Sequence, residues 1–415
     1  KTAAEIDAVP AFYPPNAEFK EGVQPDQLNR LYAVETMPNN TNAVADHRLP
    51  LTQAEIGAFA RALAAAVGVS VPQGGATLPQ VAQDWAKAIA DDLKARNGKS
   101  VVVAGDHQPD WVHAIAHAIN AKLGSVGKTV RLIASPEATV ADRTTDLKTL
   151  TEELKAGKVD VLLILGDMNP AHTAPTDYDF AGALKAFTQD KGKFGLHLGQ
   201  RQDETAVLCE WHVNEAHYLE TWGDVRAHDG TATLLQPLIA PLHHGRSAVE
   251  LLAGLIQNPA DRADPKDSDR RTPVPPSSRD PLDDVRDTWR AWHAQQKLTG
   301  PFETFWQESV RAGVVAGTAS PEVKAAANFA ALEKLAAPAA AGGEYELNFR
   351  ACPSLYDGRF ANNGWLQELP KPLTKISWDN AAFLSPKTAA KLGVETNFRY
   401  TGGEHGRAEV NVIEI

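Results

Sequence analysis

Apolar positions along the chain change period several times, and the changes divide it into segments. Leu31–Glu35 alternates as a short strand. A helix is predicted from Thr52 to about Val67, because Thr52 and Glu55 stand three residues apart as a capping box ahead of a 3.6-period apolar stripe. A second helix covers Leu78–Arg96, and SVVVAG at 100–105 then reads as a buried parallel strand bounded by Gly98 and Gly105. From there helices at 109–123, 142–156 and 178–188 alternate with strands at 129–134, 159–165 and 194–198. Such alternation predicts an α/β fold with a doubly wound, mostly parallel sheet, and such sheets bind ligands at the carboxyl ends of their strands. The loops GDHQP (105–109) and GDMNP (166–170) occupy those positions.

The pattern weakens on both sides of this block. Residues 1–30 carry Pro10, Pro14, Pro15 and Pro25 and read as an extended arm. A helix at 246–256 is followed by a linker at 258–280, whose Pro, Asp, Arg and Ser leave nothing to bury. A helical segment, 281–343, holds helices at 281–297, 301–312 and 321–336 and ends in the hinge APAAAGG. Its Trp289, Trp292, Phe302, Phe305 and Trp306 are spaced for a core or an interface. Trp289 and Trp306 are expected to anchor an assembly, because large aromatics are what interfaces use. The last lobe, 344–415, reads as β-rich, with strands in EYELNF, LTKISW and AEVNVIEI around a helix at 386–392. A first lobe at 31–257 completes the division.

At 415 residues the chain exceeds the size at which single cores stop growing, which fits several lobes. A formal charge of −11 with no clustered basic face excludes a nucleic-acid binder. No apolar run is long enough to span a bilayer. Cys209 and Cys352 are far apart, whereas an iron–sulfur cluster takes four cysteines, so none is expected here. The chain opens at Lys1 without a methionine and closes on EVNVIEI, and reads as a piece of something longer.

Candidate chemistry concentrates at 209–247, where His212, His217, His228, His243 and His244 accompany Glu215, Glu220 and Asp229. A metal-dependent hydrolase using His212–His244 is one reading. The spacing His212-x-x-Glu215-x-His217 is one residue longer than the inverted zinc motif and puts the two histidines about 140° apart on a helix. No metal site is therefore expected, and the plainer reading is an irregular aromatic-rich loop. The segment LGSVGKT (123–129) ends like a phosphate-binding loop, but Lys122 stands where the first glycine is required and a strand follows instead of a helix.

Long phrases carry a resemblance: LYAVETMPNNTNAVADHRLPL (31–51), VDVLLILGDMNPAHTAP (159–175), WHVNEAHYLETWGD with RAHDGT and LLQPLIAPL (211–242), and RFANNGWLQELPKPLTKISWDNAAFLSPKTAAKLGV (359–394). In order, they are similar to the molybdopterin-oxidoreductase-like iron–sulfur subunit of bacterial alternative complex III, in its middle part. The resemblance implies the molybdopterin-oxidoreductase-like fold. It also implies a periplasmic place on the cytoplasmic membrane, reached through partners: a cluster-bearing domain of the same subunit, c-type haem subunits and integral quinol-binding subunits. Iron–sulfur clusters and haems would lie in those other parts. Gly166, Asn169 and Pro170 match the family's pterin-approaching loop, and Asn362 and Asn363 its polar pair, so Gly166, Asn169, Asn362 and Asn363 are relict pterin candidates. As bare patterns they are also a strand-ending turn and a tight turn before a helix. Drift at Glu220, Gly223 and His228–Thr231, and the absence of a molybdenum ligand other than a strand-borne Cys209, imply a scaffold with no catalytic residue and no cofactor of its own. An active molybdopterin enzyme is the alternative within the same resemblance.

Overall fold

The computed structural model describes residues 29–72, 74–137, 145–256, 280–332 and 343–394, together with the backbone of 396–399 and 407–410. Nearly all of the expected arm at 1–30, of the linker at 258–280 and of the hinge APAAAGG lies outside the described residues, as does most of AEVNVIEI. Two compact units are present: one runs to Cys352 and takes in Tyr356–Arg359, and the other holds Pro353–Leu355 and the chain from Phe360 onward. The protein is mixed α/β with parallel sheets.

In the first unit β1 (Tyr32–Glu35) and β2 (His47–Pro50) pair in parallel around the one-turn helix α1 (Asn40–Ala43). Then comes α2 (Gln53–Val67), opened by the predicted reciprocal box: Thr52 Oγ1 accepts from Glu55 N, and Glu55 Oε2 accepts from Thr52 N. Gly68 closes α2 at φ +94, a left-handed conformation that favours glycine. Helices α3 (Gln80–Ala95) and α4 (Asp110–Lys122) share a core with α2, built on Ile56, Phe59, Leu63, Ile89, Ile115 and Ile119.

Residues 100–105 are not a ladder strand, contrary to expectation. The Asn120 side chain, 4% exposed, takes both the N–H and the C=O of Val102, at 2.8 and 2.7 Å, and the Ser125 and Thr129 hydroxyls both donate to Ser100 O. Side chains supply the bonds a neighbouring strand would have made, and Val101 and Val103 stay exposed. Nor is there a strand at 129–134: Ile133 makes a single bridge with Glu322. That bridge also explains the missing helix at 321–328, because Pro321 and Val323 pair with Ala134 and Leu132 through backbone bonds of 3.0 and 2.7 Å.

The parallel sheet lies further along. After α5 (Asp146–Lys155) come β3 (Val161–Leu165), α6 (Pro170–Thr173), α7 (Phe180–Gln189), β4 (Phe194–Gly199), α8 (Glu204–Leu208) and β5 (Trp211–Asn214). The order is β3-β4-β5, all parallel, with Leu163 opposite Leu196 and His197 opposite His212. Phe180, Leu184 and Phe187, on one face of α7, pack with Leu154 and Leu162. Trp211–Asn214 is thus an edge strand among the described residues, not loop.

A third core sits on the hairpin β6 (Gly223–Arg226) and β7 (Ala232–Leu235). After α9 (Ala248–Ile256), helices α10 (Pro281–Gln295) and α11 (Phe302–Ala312) cover that hairpin, and β8 (Val314–Val315) pairs antiparallel with β7. The short helix α12 (Phe329–Leu332) follows. Trp289 and Trp306, expected to anchor partners, are 4% and 7% exposed and pack with Ala232, Leu234, Val285 and Val315. The antiparallel hairpin supplies the apolar face that the helices lacked in sequence. Trp289 Nε1 also donates to Asp224 Oδ2 at 2.9 Å.

EYELNF and LTKISW form no strands among the described residues. Lys375 and Trp378 sit at φ +62 and +66, so LTKISW is folded by turns. In the second unit, α13 (Gly364–Glu368) is capped by Asn363 and α14 (Pro386–Lys391) by Ser385, while β9 (Thr396–Arg399) pairs antiparallel with β10 (Arg407–Val410). None of the residues 343–394 is buried.

Trp289→Ala removes a buried ring together with its indole bond to the exposed Asp224. Chemical denaturation is expected to show a loss of about 3–5 kcal/mol, against about 0.5 kcal/mol or less for Trp365→Ala at an exposed position. Equal effects would place Trp289 outside a core.

Candidate functional site

The carboxyl edge of β3-β4-β5 gathers titratable groups from four segments. β3 ends at Leu165, and the φ of +92 at Gly166 turns the chain while its N–H donates to Leu198 O at 2.8 Å. Asp167 follows. Its Oδ1 accepts from Gln200 N at 2.7 Å, and its Oδ2 lies 3.8 Å from Arg201 Nη1.

Asn169, 7% exposed and at φ +45, leads into α6, with Pro170 at the first helical position. Its Nδ2 donates to Glu204 Oε2 at 2.7 Å and its Oδ1 accepts from Thr205 Oγ1 at 2.9 Å; Thr205 Oγ1 in turn accepts from Ala171 N at 3.0 Å. The amide therefore bolts the loop after β3 to the first turn of α8. It holds the Glu204 carboxyl below the usual range, chiefly by this bond. Over the same loop lies the turn 356–359: Arg359, bidentate on Asp357, donates to Met168 Sδ at 3.3 Å, and Gly358 lies against His172 so closely that a Cβ would be 2.9 Å from its Nε2.

β4 contributes His197, fully buried. Its ring stacks on His212 of β5 with centroids 5.2 Å apart, and the two Nδ1 atoms are 3.0 Å apart. His197 Nε2 has no hydrogen-bond partner and lies 3.9 Å from Asp203 Oδ1, the capping oxygen that accepts from Ala206 N. Burial pushes His197 below the ordinary histidine range, with His212 adding to that and Asp203 and Asp167 opposing it. Gly199 leaves room for this packing, since a Cβ there would lie 2.5 Å from His197 Cε1 and 2.9 Å from Asp167 Oδ1. Beyond β5, Glu215 is pushed upward by burial first and by Asp167 second. Arg246 exchanges backbone bonds with Asn214 and Ala216, an approach so close that a Cβ on Gly245 would lie 2.8 Å from the Ala216 backbone.

The remaining histidines have separate settings. His217 lies against Tyr218 with ring centroids 4.3 Å apart and planes tilted by 36°, and its Nδ1 accepts from Leu219 N; His228 is exposed in the β6–β7 turn; His243 offers its carbonyl to Asn214; His244 sits at φ +54. Glu220 accepts from His217 N and Leu242 N, which lowers its pKa. Among the described residues no group of three or more His, Cys, Asp and Glu side chains converges to hold a metal ion. Asn362 and Asn363 lie in the second unit, Asn362 exposed and Asn363 spent on Leu366 N as the cap of α13.

Both ends of the Asn169 amide are bonded within the protein, which leaves that side chain little to offer a pterin, and burial raises the Cys209 thiol to about 11. At the other expected loop, GDHQP, Gln108 bonds Gln53 at 2.8 Å, Arg350 contacts His107 and donates to Thr36 Oγ1, and Glu346 accepts from Gln53 N and Ala54 N at 2.7 and 2.9 Å, while Gln108, Pro109 and Glu346 border a cavity of about 230 Å³.

Sequence reasoning missed His197, Asp203, Glu204 and Thr205. Asp203 was findable as a cap three residues before Ala206. His197 was not, because a lone histidine in the apolar run FGLHLG carries no signal of the partner that parallel register brings to it.

Asn169→Ala leaves Glu204 and Thr205 without their buried partner. Urea denaturation is expected to show a loss of about 1–3 kcal/mol, and an unchanged midpoint would mean the amide is not a bolt. The sequence matches no family model, and no curated protein matches it.

Proposed function

We propose that this chain is a cofactor-less scaffold of molybdopterin-oxidoreductase-like fold, the middle part of the iron–sulfur subunit of a quinol-oxidising respiratory complex of the alternative complex III type. One observation carries the assembly reading. Residues 343–394 are shaped by caps and turns with no buried residue, while Trp365, Phe349, Phe383 and Trp378 are 84%, 78%, 57% and 54% exposed. Large aromatics at this exposure, without a core of their own, are the anchors that obligate partners cover. The same applies to Leu238, Leu242 and Ile256, at 75%, 69% and 83%.

Two further observations support the reading. Asn169 and Asn363 direct their side chains to the protein itself rather than outward, and no described helix is long and apolar enough to cross a membrane, as fits a chain attached through partner subunits. The sequence phrases that resemble the iron–sulfur subunit are what point this reading to that complex. In this reading the chain lies at the periplasmic face of the cytoplasmic membrane. It holds in place the cluster-bearing domain, the c-type haem subunits and the quinol-binding membrane subunits, through which the electrons pass.

In the assembled complex, Trp365→Glu with Phe349→Glu is expected to lower the recovery of intact complex, while Asn169→Ala leaves turnover per intact complex within about threefold. A fall of about a hundredfold with the complex intact, equivalent to about 2.7 kcal/mol of transition-state stabilisation, would show that a reaction centre lies in this chain.

A further inference from the structure

The His197–His212 pair is spent on neither the scaffold reading nor any ligand. Its two Nδ1 atoms, 3.0 Å apart, face each other across the β4–β5 ladder, so one must donate and the other accept. The neutral pair satisfies this with a single proton between the rings. A first added proton is also accommodated, on the Nε2 of the ring that donates. A second is not, because both Nδ1 atoms would then carry hydrogens and both rings a positive charge at hydrogen-bond distance.

His197 has no escape. It is fully buried, with its Cε1 against Gly199, while β5 is four residues long and carries no buried side chain. Relief of the repulsion therefore falls on β5. The ionisable groups facing His197 are His212 from β5, Asp203 at the start of α8 and Asp167 from the loop after β3, the last shared with Arg201. Glu215 faces Asp167 from beyond β5, and Cys209 follows α8. At 3.9 Å from Nε2, Asp203 is close enough to favour an N–H there, which makes His197 Nδ1 the acceptor and His212 the donor.

We propose that His197 and His212 form a proton-operated clasp that holds edge strand β5 on β4 while the pair shares one proton, and frees β5 when both rings are charged. Burial sets the direction of the pH dependence. His197 is depressed below its ordinary 6.5, so the closed state is fully favoured above that value and is lost as pH falls from 6.5 toward the lower folded value.

The test is hydrogen exchange of the full-length protein between pH 7.5 and pH 5, with each rate divided by its intrinsic chemical rate. Opening at 211–214 is expected to rise as pH falls, by up to about tenfold per pH unit for each proton taken up, while α2 and β7 stay flat. His212→Gln is expected to abolish that local dependence. A rise shared by every segment, or none at 211–214, would overturn the clasp. Should His212→Gln fail to fold, ring-nitrogen spectra of the histidine-labelled wild type decide instead. A jointly titrating pair of Nδ1 signals supports the clasp, and two independently titrating rings contradict it. Neither result bears on assembly, so the clasp and the scaffold reading stand or fall separately.

Discussion

The Asn169 side chain is the constraint on which the sheet's carboxyl edge depends. In a parallel sheet that edge is where backbone groups and helix N-termini converge, and where an α/β protein ordinarily holds a ligand. Here one buried amide joins the loop after β3 to α8 through Glu204 and Thr205, and the loop is overlaid by Arg359 and Gly358. With the Asn169 amide directed inward, the loop after β3 is a packed joint. The left-handed backbone at Asn169 supports the same geometry, since asparagine tolerates a positive φ that turns its amide back toward α8.

A joint of this kind suits a molecule whose cores are local. The helical core of α2, α3 and α4, the sheet core under α7 and the tryptophan core on the β6–β7 hairpin each close around a few large side chains. Between and beyond them the chain leaves apolar surface uncovered, most of all in 343–394. Hydrophobic burial is what offsets the conformational entropy of an ordered segment, so a stretch with caps, turns and a few polar contacts but no buried side chain depends on other surfaces for its order. That dependence links the fold to the scaffold function proposed for it.

Local signals in the sequence translated well where they were self-contained. Thr52 and Glu55 form the box their spacing specifies, and α3, α4, α7, α10 and α11 follow their apolar stripes. Non-local pairing was not legible. SVVVAG has the composition of a buried strand, yet Asn120, eighteen residues away from Val102, takes its backbone bonds. The alanine-rich stretch after Pro321 has helical propensity, yet its first residues are drawn into pairing with Leu132 and Ala134. Trp289 and Trp306 looked unpartnered because their hairpin lies far upstream. In the site, Gly166 and Asn169 stood out through the resemblance, but the residues that bond the Asn169 amide, Glu204 and Thr205, carried no motif.

Cofactor content of the purified full-length chain tests the central claim most directly. The chain would be made in cells that synthesise the molybdenum cofactor, with molybdenum measured by mass spectrometry and pterin by fluorescence after oxidation. Background levels of both are the expected result. One molybdenum or one pterin per chain would contradict a loop whose Asn169 amide is spent within the protein.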